Sequence, residues 1–303
     1  MSVGGAIKHG FAMAGRMRSV VWALLLINLG LAAGAALPIY EGMLHFTGHS
    51  LMSETLAHGF STDWLTDFSF NNPGLLQRYG AIIEWLGLVS LPVNALLAGG
   101  VLARFRTPEQ GYSLGDFFRN VGRYASRMFW LMVVGLVCYW IAFRLLNQGL
   151  GDLIDKWTRD WLDDRPVFWL QLGAGILLLV AVGFMNVVMD YARVHIVMKD
   201  DSGVIQSFLA SLGFSLGRFG RAVTAWALPS LGGLALLGIY LLVAPWAGSL
   251  LGRTAHGRVL PQLMVALLFV GQQAVIWGRY WFRVATWASE WSAFGSSKIE
   301  AGN

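Results

Sequence analysis

Charged side chains are scarce in this 303-residue chain. They make up 13% of the residues, while hydrophobic residues make up 56%. An average soluble domain carries about 25% charged residues. So little charge cannot keep so much apolar surface in water, which excludes an ordinary soluble domain. We therefore predict an integral membrane protein whose apolar surface is covered by lipid.

Cysteine and catalytic motifs are also lacking. The single Cys138 excludes an intramolecular disulfide and a cysteine-based metal cluster. The long uncharged stretches contain no histidine, which excludes a bis-histidine haem in the membrane core. No Asp, Glu or Lys falls at the middle of these stretches, which argues against a proton-coupled pump. An intramembrane enzyme needs a nucleophile and a base at one depth, and the sequence offers neither. We therefore predict no enzymatic activity and no cofactor.

What the chain does have is long apolar runs. About 20 apolar residues cross a bilayer as a helix. Six uncharged windows approach or exceed that length: Ser19–Tyr40, Trp85–Ala103, Met128–Phe143, Pro166–Met189, Ala222–Gly252 and Val259–Gly278. The third is short but continues past Arg144, whose side chain can reach the membrane surface. The sequence predicts an all-α integral membrane protein with six transmembrane helices in one domain, residues 1–303.

Lys and Arg are distributed unevenly between the loops. With six spans, the N-terminus, the second and fourth loops and the C-terminus share one side. That side holds 15 of the 22 basic residues. Because basic residues gather on the cytoplasmic side, we predict that both termini are cytoplasmic. This bias accounts for the net charge of +5, so nucleic acid is not an expected partner.

Three segments resemble one another: "AMAGRMRSVVWALLL", "RNVGRYASRMFWLMV" and "FSLGRFGRAVTAWAL". Each has a Gly-Arg pair, a second Arg and then a Trp before an odd-numbered span. The even-numbered spans end at Arg104, Arg193 and Arg283, which are 89 and 90 residues apart. We predict three repeated helix hairpins, approximately residues 1–106, 107–196 and 197–290, and then a tail, residues 291–303. We expect its last residues, from Ser296, to be disordered.

Apolar residues with helical spacing precede each odd-numbered span, for example Val3, Ile7 and Phe11. These segments predict amphipathic helices in the cytoplasmic membrane interface. Ser113 and Asp116 resemble a capping box at the start of the second segment. The stretch "GDLIDKWTRDWLDD" predicts a further interfacial helix on the outer face.

The Gly-Arg pairs, together with "DYAR" (Asp190 to Arg193) at the end of the fourth span, resemble a broad group of bacterial integral membrane proteins. Some members of that group are fused to glycerophosphodiester phosphodiesterase domains. The resemblance implies a location in the bacterial inner membrane. It supplies no catalytic residues, and no phosphodiesterase domain falls within these 303 residues.

Histidines cluster in the first outer loop as His45, His49 and His58. Histidines four residues apart on a helix can hold Zn²⁺ or Cu²⁺. However, Gly48 lies between the first two, and no HExxH motif is present. We favour exposed loop histidines, so we predict no metal and keep these three residues as candidates.

Two charges lie nearest the membrane interior, Glu84 and Arg144. Their depths match, which predicts either a salt bridge between the first two hairpins or a role in transport. The predicted spans also contain the amides Asn94, Asn186 and Gln273. Such amides either bond between helices or line a polar pathway.

Asp190 and His195 have no counterparts in the other two hairpins. Asp190 precedes Arg193 by three residues, which predicts an ion pair on one helix face. The alternative is that Asp190 and His195 contact a cytoplasmic partner or a lipid headgroup. Arg104, Arg193 and Arg283 hold equivalent positions, and we interpret them as anchors that fix the topology.

Three functions are compatible with these features. The first is a non-catalytic membrane subunit or scaffold of a larger assembly, with membrane lipids and other membrane proteins as partners. The second is a permease or lipid-handling transporter with a pathway along the repeat interfaces. The third is a metal-dependent enzyme that uses the outer-loop histidines. Direct pairing of the amides favours the first, and a shared cavity favours the second.

Overall fold

The computed structural model describes residues 2–47, 62–71, 73–106, 113–161, 163–200, 203–254 and 259–301. Within these ranges the fold is helical and contains no strand. The α-helices are α1 (Val3–Arg16), α2 (Arg18–Thr47), α3 (Thr62–Asn71), α4 (Pro73–Arg104), α5 (Leu114–Phe143), α6 (Leu150–Thr158), α7 (Asp164–Lys199), α8 (Val204–Gly217), α9 (Phe219–Thr254) and α10 (Val259–Ala301). A π-helical segment, Arg144–Gly149, joins α5 to α6. The predicted all-α class is confirmed.

Several helices have the length and composition of membrane spans. Among the described residues, five stretches qualify: Arg18–Gly42, Gln77–Arg104, Leu114–Thr158, Arg165–Lys199 and Phe219–Trp246. They overlap the first five predicted windows, and they identify the chain as a membrane protein. The sixth predicted span, Val259–Gly278, falls within α10 and stays a prediction.

The surfaces of these helices are strongly apolar. Leu179 is 71% exposed and Leu242 is 79% exposed, and Trp85 is also largely exposed. Burying a leucine side chain is favourable by about 1.5–3 kcal/mol. Water would therefore be a poor solvent for these helices, whereas the hydrocarbon chains of lipids can cover their apolar side chains.

The chain divides into two compact units. Unit 1 comprises Met1–Arg18, Ala95–Gly232 and Trp281–Asn303, and unit 2 comprises Ser19–Asn94 and Gly233–Tyr280. The long helices α4, α9 and α10 each contribute residues to both units. These boundaries do not follow those of the predicted repeats, and the single-domain assignment stays a prediction.

The core of unit 1 forms around α5 and the ends of α4 and α7. On α5 the buried positions recur every three to seven residues and form one stripe: Phe117, Tyr124, Met128, Leu131 and Gly135. A Cβ atom added to Gly100 on α4 would lie 2.6 Å from Val121 Cγ2 and 2.9 Å from Phe117 Cε2. The close approach of α4 and α5 therefore requires glycine at this position.

In unit 1, helix α1 packs against the C-terminal part of α10. A Cβ atom added to Gly10 would lie 2.2 Å from Ser289 Oγ and 2.7 Å from the Ser289 backbone nitrogen. The ring of Phe11 contacts Trp281 with centroids 5.4 Å apart. These contacts fix the position of α1, and hence of His9 and Arg16 on it.

The starts of the helices agree only partly with the sequence pattern. Ser113 caps α5 as predicted: its hydroxyl accepts from the Asp116 amide at 3.1 Å, and the Asp116 carboxylate accepts from the Ser113 amide at 3.3 Å. The chain leaves helical geometry at Met17, which follows the first Gly-Arg pair, and at Arg218, which belongs to the third pair. The second pair lies inside the uninterrupted α5, since the buried stripe of that helix spans it.

The C-terminal tail corrects one expectation. The residues from Ser296, expected to be disordered, continue α10 as far as Ala301. Ser296 is held in unit 1, where its hydroxyl accepts a hydrogen bond from Arg221 Nη2 at 2.5 Å. The stretch predicted as an outer interfacial helix contains α6, which buries Ile154 and Thr158, and its location at the outer membrane face stays a prediction.

Candidate functional site

A buried carboxylate, Asp190, lies at the centre of the most polar part of unit 1. Its side chain is 1% exposed. Oδ1 accepts hydrogen bonds from Arg193 Nη1 at 2.5 Å, Arg283 Nη2 at 2.8 Å and Trp287 Nε1 at 3.2 Å. Oδ2 accepts from Trp226 Nε1 at 3.2 Å. We call these five residues the Asp190 cluster.

The positions of these residues follow from helix geometry. Arg193 lies one turn after Asp190 on α7, so the predicted ion pair between them is present. Arg283 and Trp287 are four residues apart on α10, and the guanidinium carbon of Arg283 lies 4.7 Å from the Trp287 ring centroid. This cation–π contact holds the guanidinium against the indole ring while its Nη2 donates to the carboxylate.

The charges of the Asp190 cluster do not cancel. One carboxylate faces two guanidinium groups, Arg193 at 21% exposure and Arg283 at 37%. A buried charge needs such partners, because an unpaired one costs several kcal/mol. The carboxylate accepts four hydrogen bonds and is enclosed, so it is not available as a base for a substrate. The chemistry that this arrangement supports is structural.

A second buried carboxyl, Glu290, was not singled out in the sequence. Its side chain is completely buried in unit 1, and neither carboxyl oxygen forms a hydrogen bond within the described residues. Burial raises the pKa of Glu290 well above its usual range, and the nearby negative charge of Asp190 raises it further. Burial therefore favours the protonated form of this group.

The spacing of α10 residues could have revealed Glu290. Arg283, Trp287 and Glu290 follow one another at intervals of four and three residues, so they lie on one helix face. Arg283 was predicted to end the last span, and residues 284–290 were not considered as site candidates. Trp287 and Glu290 were missed for that reason.

His195, the second candidate on α7, is also buried, at 3% exposure. Its Nδ1 shares a hydrogen bond with Ser207 Oγ of α8 at 3.1 Å. Its ring meets Phe294 of α10 edge-on, with centroids 5.6 Å apart. Neither Asp190 nor His195 presents a surface to a partner or headgroup in this structure. Both residues, which have no counterparts in the other two predicted hairpins, join helices within unit 1.

A second charged group, the Asp200 cluster, forms where α7 ends. Asp200 adopts the left-handed conformation, with φ of 58°, which Asp tolerates better than most residues. Its carboxylate accepts from Arg123 Nη2 at 2.5 Å, Arg106 Nη1 at 3.0 Å and the Tyr124 hydroxyl at 3.0 Å. Arg127 donates to the Asp200 carbonyl oxygen.

The Asp200 cluster is partly open to solvent, unlike the Asp190 cluster. Partial burial raises the pKa of the Asp200 carboxyl, but hydrogen bonds from Arg106 and Tyr124 outweigh it and leave the pKa below its usual range. The hydrogen bonds that Arg106 donates to Asp200 and to Tyr124 raise the pKa of Arg106. Among the described residues of this cluster, three guanidinium groups surround one carboxylate.

The candidate amides separate into different environments. In unit 2, Asn94 and Asn28 exchange reciprocal hydrogen bonds at 3.1 and 3.2 Å. In unit 1, Asn186 Oδ1 accepts from the Tyr139 hydroxyl at 2.8 Å. Gln273 lines a cavity of about 650 Å³ in unit 2. Two of the three predicted amides therefore bond directly to other side chains.

The cavity in unit 2 lies between α2 and α10 and is mostly apolar. Asn28, Gln272 and Gln273 contribute amides to its wall, and Leu29 and Phe269 are among its apolar residues. The side-chain oxygen of Gln273 is buried and forms no hydrogen bond within the described residues.

The other candidates stay as predictions. Glu84 belongs to unit 2 and is exposed, whereas Arg144 belongs to unit 1 and donates to Gln148. Their predicted ion pair is therefore untested. His49 and His58 lie outside the described residues, and His45 lies near the end of α2. Among the described residues, no group of three His, Cys, Asp or Glu side chains could hold a metal ion.

Comparison of the chain with models of known protein families, with curated proteins and with solved structures finds no match.

Proposed function

We propose that the chain is a non-catalytic, multi-pass protein of the bacterial inner membrane that serves as a subunit or scaffold of a larger assembly. Six spans form three hairpin repeats, and both termini are cytoplasmic. The amphipathic helices α1 and α8 and the start of α5 lie in the cytoplasmic interface. Membrane lipids and other membrane proteins are the partners.

The observation that carries this proposal is the enclosure of Asp190. Charged groups within membrane proteins are functional suspects by default. Here the carboxylate is enclosed by two arginines and two tryptophans of its own chain. The amides Asn94 and Asn186 likewise bond to side chains of their own units. Polar groups used in this way stabilise a helix assembly.

Composition supports the same interpretation. Fourteen tryptophans and many exposed apolar side chains on the long helices provide surface for lipid and for neighbouring helices. Association of helices in a membrane depends on packing and on a few interhelical hydrogen bonds, each of about 1 kcal/mol or less. Such surfaces suit a subunit that is held by other membrane helices.

Purification at native expression level tests this proposal. The tagged chain is extracted from its own membranes into polymer-bounded lipid discs, and the polypeptides that remain after gel filtration are quantified. We expect one or more membrane proteins at a fixed ratio to the chain. An unrelated inner-membrane protein of similar abundance, treated in parallel, should not retain them. A chain that emerges without other protein would contradict the proposal.

A second candidate function is lipid handling, which the cavity of unit 2 favours. Its volume of about 650 Å³ and its apolar walls with a few amides suit part of an acyl chain and its ester group. Ala33 lines this cavity on α2, whereas Gly30 on the same helix does not. A Trp at position 33 fills the cavity, and a Trp at position 30 is the matched control.

If the chain handles lipid, A33W should remove a tightly bound lipid that native mass spectrometry detects on the wild-type protein and on G30W. Retention of the lipid by A33W, or its loss from both variants, would argue against a lipid-handling cavity.

A further inference from the structure

A basic pocket of about 490 Å³ opens in unit 1 between α1, the end of α4 and α10. Its lining includes three arginines: Arg16, Arg104 and Arg106. His9 adds a fourth nitrogen-bearing side chain. The apolar part of the wall comes from Met13, Met17, Phe105 and Trp291. Cationic and apolar groups therefore face one space.

The walls of the pocket are held in place by contacts outside it. The Ser292 hydroxyl donates to the Ala288 carbonyl oxygen at 2.9 Å. The Ser292 oxygen also shares a hydrogen bond with His9 Nδ1, which lies 3.0 Å away. This contact ties the His9 side chain to α10.

The other walls are similarly fixed. Trp291 packs edge-on against Phe105, with ring centroids 5.9 Å apart. Arg106 donates to the Tyr124 hydroxyl at 3.2 Å and to Asp200 at 3.0 Å. Rigid walls reduce the entropy that a ligand must overcome on binding.

Among the described residues, the lining of the pocket carries three guanidinium groups and no carboxylate. Asp200 is the carboxylate bonded to Arg106, but it also bonds to Arg123. The difference from the Asp190 cluster is visible in the sequence. Asp190 precedes Arg193 by three residues, whereas Val101 occupies the corresponding position before Arg104. The residue one turn before Arg104 on α4 is therefore apolar, so the contact that joins Asp190 to Arg193 has no equivalent on that turn.

We propose that this pocket binds a phosphate group, carried either by an anionic phospholipid or by a soluble phosphorylated molecule. Guanidinium groups match the geometry of phosphate oxygens and bond to them in pairs. The methionine and aromatic wall suits the apolar part of the same ligand. In the proposed topology the pocket lies on the cytoplasmic side, where basic pockets between helices bind lipid headgroups. A phosphate would bind whether or not the chain assembles with other proteins.

Three variants of the purified full-length protein test the site. R16Q removes one charge from the pocket, and Arg16 is an exposed residue whose loss should not unfold the chain. A12W keeps every charge but fills the space, because Ala12 lines the pocket and is itself exposed. R119Q is the matched control: Arg119 is 80% exposed and pairs only with Asp116 among the described salt bridges.

The readout is the occupancy of dioleoylphosphatidylglycerol on the detergent-purified protein, measured by native mass spectrometry, with dioleoylphosphatidylcholine for comparison. We expect both R16Q and A12W to weaken phosphatidylglycerol binding by about fivefold or more. R119Q should change it by less than about twofold, since an exposed charge acts only through screened attraction. Equal losses in R16Q and R119Q, or no loss in A12W, would overturn the proposal.

A competition arm distinguishes the two sources of phosphate. Displacement of phosphatidylglycerol by millimolar glycerol 3-phosphate supports a soluble phosphorylated ligand. Resistance to glycerol 3-phosphate, with the variant effects above, supports a lipid headgroup. If wild-type protein binds neither phosphatidylglycerol nor glycerol 3-phosphate more tightly than the A12W variant does, the pocket is not a phosphate site.

Discussion

Replacement of Asp190 by asparagine should destabilise the protein strongly. The substitution keeps the shape of the side chain but removes the charge that holds Arg193 and Arg283. It also replaces one acceptor oxygen by an amide that donates. At the Trp226 contact, two donors would then face each other if the amide nitrogen took the place of Oδ2.

The size of the effect follows from the burial of the three charges. Removal of one partner from a buried ion pair costs about 3–5 kcal/mol. Asp190 is 1% exposed, but Arg193 is 21% and Arg283 37% exposed, so water screens part of the interaction. We therefore expect a loss of about 3 kcal/mol in unfolding free energy. For a chain of this size the corresponding decrease in Tm is about 6–12 °C.

Titration of mixed micelles with sodium dodecyl sulfate measures the unfolding free energy. The matched control is Asp155→Asn, an exposed carboxylate on α6, which should change it by less than about 0.5 kcal/mol. A double-mutant cycle with Arg283→Met isolates the ion pair, and the double variant should lose less than the sum of the single losses. A loss below about 1 kcal/mol in D190N, or strict additivity in the cycle, would refute the structural role of Asp190.

Three further substitutions have defined outcomes. Gly10→Val should lower the unfolding free energy by about 3 kcal/mol because the new side chain would meet Ser289. Gly4→Val, whose side chain would meet nothing within 4 Å, should lower it far less. Equal thermal unfolding of the two variants would contradict the packing of α1. Asn94→Leu removes the reciprocal hydrogen bonds to Asn28 and should lower the unfolding free energy by about 1 kcal/mol or less. A larger loss of unfolding free energy in mixed micelles would contradict a role limited to joining helices. Because burial raises the pKa of Glu290, its contribution to stability is complete below the unfolded pKa and is lost as pH rises towards the folded one. Glu290→Gln should therefore gain stability relative to wild type as pH increases from 5 to 9, and parallel stability curves would contradict this.

The helical architecture could be read from the sequence because lipid imposes a simple rule. Long uncharged windows must form helices, since hydrocarbon offers backbone groups no other hydrogen-bond partners. The start of α5 could also be predicted, because the capping hydrogen bonds between Ser113 and Asp116 form between residues that are close in sequence. Both features depend on residues that are close in the chain.

The partners of Asp190 were predictable only in part. The bond to Arg193 follows from a spacing of three residues on one helix. The bonds to Arg283 and Trp226 connect α7 to α10 and α9, at separations of 93 and 36 residues, and no local pattern specifies them. Burial of Asp190 depends on those distant contacts. The length of the apolar window before Asp190 indicates how deep this residue lies in a membrane. It does not indicate that the carboxylate is enclosed by protein.

The number of membrane crossings decides which loops face the cytoplasm, and cysteine labelling measures it directly. In a Cys138→Ser background, single cysteines replace Ser2, Asp155, Asp201, His256 and Ala301. A membrane-impermeant maleimide is then applied to cells whose outer membrane has been made permeable. Six spans with cytoplasmic termini predict labelling at positions 155 and 256 and protection of positions 2, 201 and 301 until the inner membrane is opened. Labelling of position 301 together with 256, or protection of 155, would contradict the proposed topology.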